Sequence, residues 1–555
     1  MPRGRNRPPH DSVDSILLAI SRRDNIDPDT LSHYFERLDE EWTEGARSKV
    51  LHLLRTRDAT AHAAAVLILS ELATGFDREE LEDLVADPTV SDMAKLTIAP
   101  VLKELDSEMA DDGLIEYLND PEAAMQQMQV RLLELVGQSE LGVESVLEDV
   151  LSMPLERRLG FINWLGSSHD PRAAQLLIPL LENQSGKVIL AAIDAIEQLG
   201  PIATQQTIPA LNYMVAHTSN RQTKEHARAV LGRLMMHSAP GAEKMLGQES
   251  QSKHQLKFYE ARVSFIDGVG SQMIMLAWQR PDNMLKGINV LYQDQWGIKD
   301  CYGTDDMDIN HWTELVSEMH VKGFGSFRVP LEYGRALIAE AYAITKRSRH
   351  KVPLAYTIWR PFIEGDETPT KKALISTRME PVELTPELLK LALRGDELYH
   401  MQEFMSWMFE PPGRIQSYID RYWSKRDFFN TGSPGSRNRS RKVSQKNQST
   451  QENLETLITE AIHEVIDDTW RSVYEARLLR QAALFQFARR SKDVQLVQAT
   501  AAALHPNSSL SAEEQPFIRA MIRITIEQGP LRALAEALEA ARLGSIPIDL
   551  FPGKE

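Results

Sequence analysis

Cysteine is almost absent from the chain: Cys301 is the single thiol among 555 residues. With no second thiol there is no intramolecular disulfide and no thiolate zinc site, and the sequence reads as intracellular, with a cytoplasmic location expected. Long apolar runs are missing too. Nowhere do about 18 apolar residues follow one another, the length a bilayer-spanning helix needs, so no membrane partner is expected. The opening stretch MPRGRNRPPHDSVDSILLAISRRD places three arginines ahead of the apolar run ILLAI, which is too short for the core of a signal peptide. Residues 1–12 are expected to be disordered. Glycine-rich phosphate loops are lacking: there is no Walker loop, no dinucleotide fingerprint and no G-x-S-x-G elbow, and GFGSF and GVGSQ lack the remaining positions. Bases are outnumbered by acids, giving a formal net charge of −17. Such a charge repels phosphate backbones unless a local basic surface overrides it, so nucleic acid is a poor default partner.

What is present is ordinary in amount, 42% apolar and 25% charged residues, and the chain is too long for one core. Its pattern is more informative. In AAQLLIPLLENQSGKVILAAIDAIEQLG, Ile178-Pro179-Leu180-Leu181 recurs thirty positions later as Ile208-Pro209-Ala210-Leu211. Ala192, Ala195, Ile196 and Leu199 recur thirty-five positions later as Ala227, Val230, Leu231 and Leu234. An earlier pair repeats at an offset of thirty-three: Ala61, Ala65, Ile68 and Leu72 match Ala94, Ile98, Val101 and Leu105. Spacings of three and four place each quartet on one helical stripe. In the helix predicted over 187–199, Asp194, Glu197 and Gln198 form only a narrow polar strip. So wide an apolar surface must be covered by a pair-mate and by neighbouring pairs, and Ala191, Ala192 and Ala195 let those axes approach.

These stretches resemble HEAT repeats, in which a first helix with a central proline is joined to a second helix rich in alanine and ending in leucine. The resemblance covers residues 48–105 and 171–235; residues 113–166 carry helix signals without a clean repeat. It implies an α-solenoid over 13–245 and leaves activity open, since HEAT-like proteins are mostly scaffolds and a minority are enzymes.

The character changes after residue 250. In KFYEARVSFID apolar and polar residues alternate with the period of a half-buried strand. The turn DGVG, the run MIMLAW, the breaker RPDN and then KGINVLYQDQWGIKD follow, which predicts a three-stranded antiparallel meander. Helices at 311–320 and 330–346 are expected to cover it, making 252–365 a small α+β module. Residues 366–427 read as a helical segment. FFNTGSPGSRNRSRKVSQKNQSTQ, within 428–451, reads as a basic flexible linker, and 452–545 as a C-terminal bundle of about five helices. There Ser511 and Glu514 form a capping-box pattern and Pro530 suits the first turn of the last helix. The fold class is therefore mainly α.

Candidate chemistry is sparse. Asp305, Asp306 and Asp308 with His311 gather oxygen and imidazole ligands as a hard or borderline metal would require, but the spacing is not that of an EF-hand and Asp308 suits a helix cap. No metal and no cofactor are expected. His400 and Glu403 sit three apart on a predicted apolar helix, and His463 with Glu464 lies on another; neither makes the H-E-x-x-H spacing. Cys301, at a predicted strand end, reads as filler, and MQEFMSWMFE as core packing. Arg437, Arg439, Arg441, Lys442 and Lys446 give the linker a basic patch without interleaved aromatics for base stacking. Aligning the quartets places Glu71, Glu104, Gln198 and Arg233 in one column, with Glu197 in the column before it. In stacked pairs the second helices line the concave surface, where extended partners bind. The expectation is a non-enzymatic scaffold for a protein partner. The alternatives are a HEAT-like ligand-handling enzyme of the chromophore-lyase type, or a nucleic-acid-associated factor acting through the linker.

Overall fold

The computed structural model describes residues 12–22, 28–183, 185–218, 220–237, 256–321, 325–364, 376–424 and 454–542. Residues 1–11 and the basic linker lie outside them. The chain separates into two units, Met1–Leu135 and Val136–Glu555, so the division falls inside the helical block expected over 13–245.

In the first unit the helices are α1 (Val13–Arg22), α2 (Pro28–Glu40), α3 (Arg47–Leu54), α4 (Ala59–Leu72), α5 (Arg78–Ala86) and α6 (Asp92–Glu104), with α7 (Pro121–Gln138) running across the boundary. Their starts are chemically marked. Asp58 accepts the amide of Thr60 ahead of α4 and Ser91 that of Ala94 ahead of α6, each satisfying a donor the helix leaves unpaired. α4 packs on α3 and α6, and α5 on α6. The aligned residues Ala65, Ile68, Ala94, Ile98 and Val101 all lie in the core of this unit.

The second unit opens with three helix pairs: α8 (Glu140–Ser152) with α9 (Leu155–Ser167), α10 (Ala173–Leu180) with α11 (Gly186–Leu199), and α12 (Thr204–His217) with α13 (Arg221–His237). The second helices α9, α11 and α13 lie side by side in one row, and the first helices α8, α10 and α12 in another. Ala192, Ala195, Ile196, Leu199, Ala227, Val230, Leu231 and Leu234 are all buried. Residues 113–166, which lack a clean repeat, supply α8 and α9.

The sheet has five strands, not the expected three: β1 (Lys257–Ser264), β2 (Ser271–Gln279), β3 (Leu285–Gln293), β4 (Gly297–Met307) and β5 (Ser326–Val329). The order is β4-β3-β2-β1-β5, and all pairs are antiparallel. The stretch KGINVLYQDQWGIKD is a hairpin rather than one strand, turned at Gly297, whose φ of 93° is open to glycine and strained for other residues. α14 (Ile309–Val321) covers one face through Trp312, whose indole donates to Glu260 at 2.8 Å. α15 (Leu331–Arg347) packs on the strands and α16 (Leu354–Glu364) on β4, α8 and α10.

The remaining helices are α17 (Pro386–Ala392), α18 (Gln416–Ser424), α19 over 454–465, α20 (Asp468–Phe487), α21 (Ser491–Leu504) and α22 (Pro516–Arg542). Among the described residues the C-terminal bundle thus holds four α-helices and a 3-10 turn, Ala512–Glu514, which carries the Ser511–Glu514 capping box. Pro530 does not start a helix but lies inside α22. Trp407, Phe404, Phe409, Tyr418 and Tyr422 share one core with α19–α22, so residues 395–424 are part of that bundle's packing. The core reading of MQEFMSWMFE holds for its buried rings, while Met405 is exposed.

Candidate interaction surface

Glu71 and Glu104 are exposed near the ends of α4 and α6 in the first unit; Glu197, Gln198 and Arg233 belong to the second. The structure brings the last three into cross-helix ties. Arg233 of α13 grips both carboxylate oxygens of Glu197 on α11, with Nη2 to Oε2 at 2.8 Å. That hydrogen bond holds the Glu197 carboxyl below its ordinary range. Gln198 donates to Asn163 of α9 at 3.4 Å, and His226 of α13 meets Asp194 of α11 at 2.6 Å. Each neighbouring second helix is therefore stitched to α11 along its outer edge.

Beneath these ties the axes come close. A Cβ on Gly166 of α9 would stand 2.7 Å from the Cα of Ala195 and 2.6 Å from Oε1 of Gln198. This is the small-residue seam that the alanines of α11 imply. The sequence reading placed Asp194 in a polar strip without a partner and missed Asn163 and His226. Their partners stand 35, 32 and 36 residues away for the Asn163, Asp194 and Glu197 ties, close to the repeat offset. A search for polar pairs at that offset would have found them.

The opposite row is occupied by the sheet module. Lys286 of β3 pairs with Glu140 of α8 and, at 3.0 Å, with Asp305 of β4. Glu182, just past α10, accepts hydrogen bonds from the Tyr342 hydroxyl at 3.0 Å, from Lys346 at 3.0 Å and from Arg360. Burial alone would raise the Glu182 pKa, but Arg360 and Lys346 outweigh it and hold the carboxyl below its usual range. Outward, α9 exposes Glu156, Arg157, Gly160 and Asn163, and α11 exposes Lys187, Asp194 and Gln198. α13 exposes Arg221, Gln222, Glu225, Arg228, Ala229 and Arg233, followed by Met235 and Met236.

The acidic turn is not gathered around His311. Asp305 faces Lys286, while Asp308 caps α14 by accepting the amides of Asn310 at 2.7 Å and His311 at 2.9 Å. The side chain of Asp306 is outside the described residues, among which no three His, Cys, Asp or Glu side chains converge as metal ligands would. His400 and Glu403 are on successive 3-10 turns rather than an α-helix, and Glu403 pairs with Arg490. His463 pairs with Glu513. Cys301 is buried within β4, not at its end, and burial pushes its thiol pKa up. The first unit carries an open groove of about 850 Å³ between α1, α3 and α5. Around it Lys49 pairs with Asp14, Arg55 with Asp87 and Arg47 with Glu80. Among the described residues no helix is long and apolar enough to cross a membrane. Arg437, Arg439, Arg441, Lys442 and Lys446 lie outside the described residues.

Comparison with protein-family models, with curated proteins and with solved structures returns no match.

Proposed function

We propose that the chain is a non-enzymatic scaffold whose HEAT-like helix pairs present their second helices to a protein partner. The observation that supports this reading is the row formed by α9, α11 and α13, whose outer side stays exposed while the first-helix row is engaged by the sheet module. In arrays of this kind each pair is covered by its neighbours, and the row of second helices is the extended surface on which partners lie. Binding energy would be spread over many modest contacts, with the cross-helix ties keeping the row rigid so that little ordering accompanies association.

The test uses the intact chain. Partners are captured, cross-linked and mapped, and the capture is repeated with Gly160→Trp combined with Ala229→Trp. A ring at either exposed position should block the row without touching the core. The expected result is cross-links on α9, α11 and α13 that disappear in the variant while its melting temperature is unchanged. Cross-links confined to other elements, or a partner held equally by the variant, would overturn the reading.

A further inference from the structure

We infer that the segment bound on this row is acidic and carries apolar side chains, and that it engages the α11–α13 side; the inference rests on the scaffold reading above. Its basis is charge segregation. The chain as a whole carries −17, and the first helix α8 holds Glu140, Glu144, Glu148 and Asp149 with no base. On the exposed side of α13 the balance is reversed, with Arg221, Arg228 and Arg233 against Glu225 alone.

The acids on this side already have partners. Glu225 is ion-paired with Arg221 and Glu197 with Arg233, and Asp194 is hydrogen-bonded to His226. Lys187 of α11 and Arg228 of α13 are exposed, and among the described residues neither has a carboxylate partner. The local field of this edge is therefore positive in an otherwise acidic protein, and it selects negative charge.

The apolar part comes from α13. Met235 is 58% and Met236 85% exposed, two and three positions after Arg233. Methionine is unbranched and polarisable, and it adapts to differently shaped apolar partners. Two such side chains beside arginines match a segment in which acids alternate with large apolar residues. A polynucleotide fits less well. α11 and α13 carry no Phe, Tyr or Trp for base stacking, and the overall charge opposes the approach of a polyphosphate.

The intact chain is titrated with a fluorescein-labelled synthetic peptide of alternating Glu and Leu, followed by anisotropy at low salt. The comparison ligands are the same peptide with Lys for Glu, the same with Ser for Leu, and a single-stranded oligodeoxynucleotide. The Glu/Leu peptide should bind best and should weaken as salt is added. Lys187→Glu with Arg228→Glu should weaken it by about tenfold or more, and Met235→Ser with Met236→Ser should weaken it to a similar degree, with the melting temperature of each variant unchanged. Equal binding of the Lys peptide, indifference to the charge-reversed variant, or tighter binding of the oligonucleotide would each overturn the inference. The outcome separates from that of the scaffold test. A cross-linked partner lost with Gly160→Trp and Ala229→Trp but retained by the charge-reversed variant leaves the scaffold standing and removes the acidic segment.

Discussion

Gly160 and Gly166 lie six residues apart on α9 and meet opposite surroundings. A Cβ on Gly166 would press on Ala195 of α11, whereas Gly160 on α9 and Gly232 on α13 have nothing within 4 Å of theirs. Gly166→Ala should therefore push two helices apart and lower stability by about 1–3 kcal/mol. Gly160→Ala and Gly232→Ala should raise it by about 0.5–1 kcal/mol each, through helix propensity alone. Urea midpoints at constant slope measure all three, and a Gly166→Ala protein as stable as the parent would mean that the seam is not tight. Half of this seam is legible in the sequence: Ala192 and Ala195 signal a close neighbour because a core helix otherwise takes larger residues. The identity of the neighbour is not legible, because Gly166 stands in a stretch without the repeat pattern. The same holds for the polar column. Its residues are readable as exposed, but that Glu197 closes on Arg233 depends on the lateral spacing of two helices, which periodicity does not encode.

Between elements, single buried charges join the sheet module to its neighbours. Arg477 of α20 reaches both oxygens of Asp294 at 2.7 and 3.1 Å and the carbonyls of Gly268 and Val269 at 2.6 and 3.1 Å, clamping two turns at one end of the sheet. Arg477→Ala would leave Asp294 and two carbonyls without this donor at a buried site, and should lower stability by about 3–5 kcal/mol. Hydrogen exchange should rise together in residues 267–271 and in α20; a change confined to one of them would show that the clamp does not couple them. Glu182 joins α15 and α16 to the end of α10. A carboxylate whose pKa is lower in the folded than in the unfolded state contributes stability above its unfolded value and loses it as pH falls through the folded value. The contribution of Glu182 should accordingly be complete at neutral pH and fade below about pH 4. Glu182→Gln should remove about 3–5 kcal/mol at pH 7 and show a shallower fall of stability on acidification than the parent. A parallel fall in both proteins would assign the acid sensitivity elsewhere. None of these joints was visible in the sequence, since Glu182 and Arg360, or Asp294 and Arg477, are far apart along the chain and carry no local pattern. The strand count failed for local reasons: Asp294-Gln295-Trp296-Gly297 offers only Asp294 and Gly297 as turn signals, set three residues apart, and β5 has four residues, too few to display alternation.

At the scale of the molecule, the helical class, the paired helices of the first half and the strand-rich middle were legible because each repeats a period many times. The division near residue 135 was not, because α7 runs through it without a break and similar helix pairs stand on either side. Its position sets how far a defect should spread. Removing residues 171–200, the α10–α11 pair, takes away the middle of the three pairs, so α9 and α13 lose the helix to which both are tied. The same deletion removes Glu182, leaving Arg360, Lys346 and Tyr342 without their shared acceptor. Stability in a stack of pairs is a sum over neighbouring interfaces, so loss of a central pair removes two interfaces together. Hydrogen exchange on the deleted chain should accelerate in α8, α9, α12 and α13 and in α15 and α16. Residues 28–104 of the first unit should keep their protection, because their core is their own. Protection lost equally from α4 and α6 would show that the two units fold as one; protection kept in α9 and α13 would show that those helices do not depend on α11 for cover, and the stacked row would no longer account for the surface built on it.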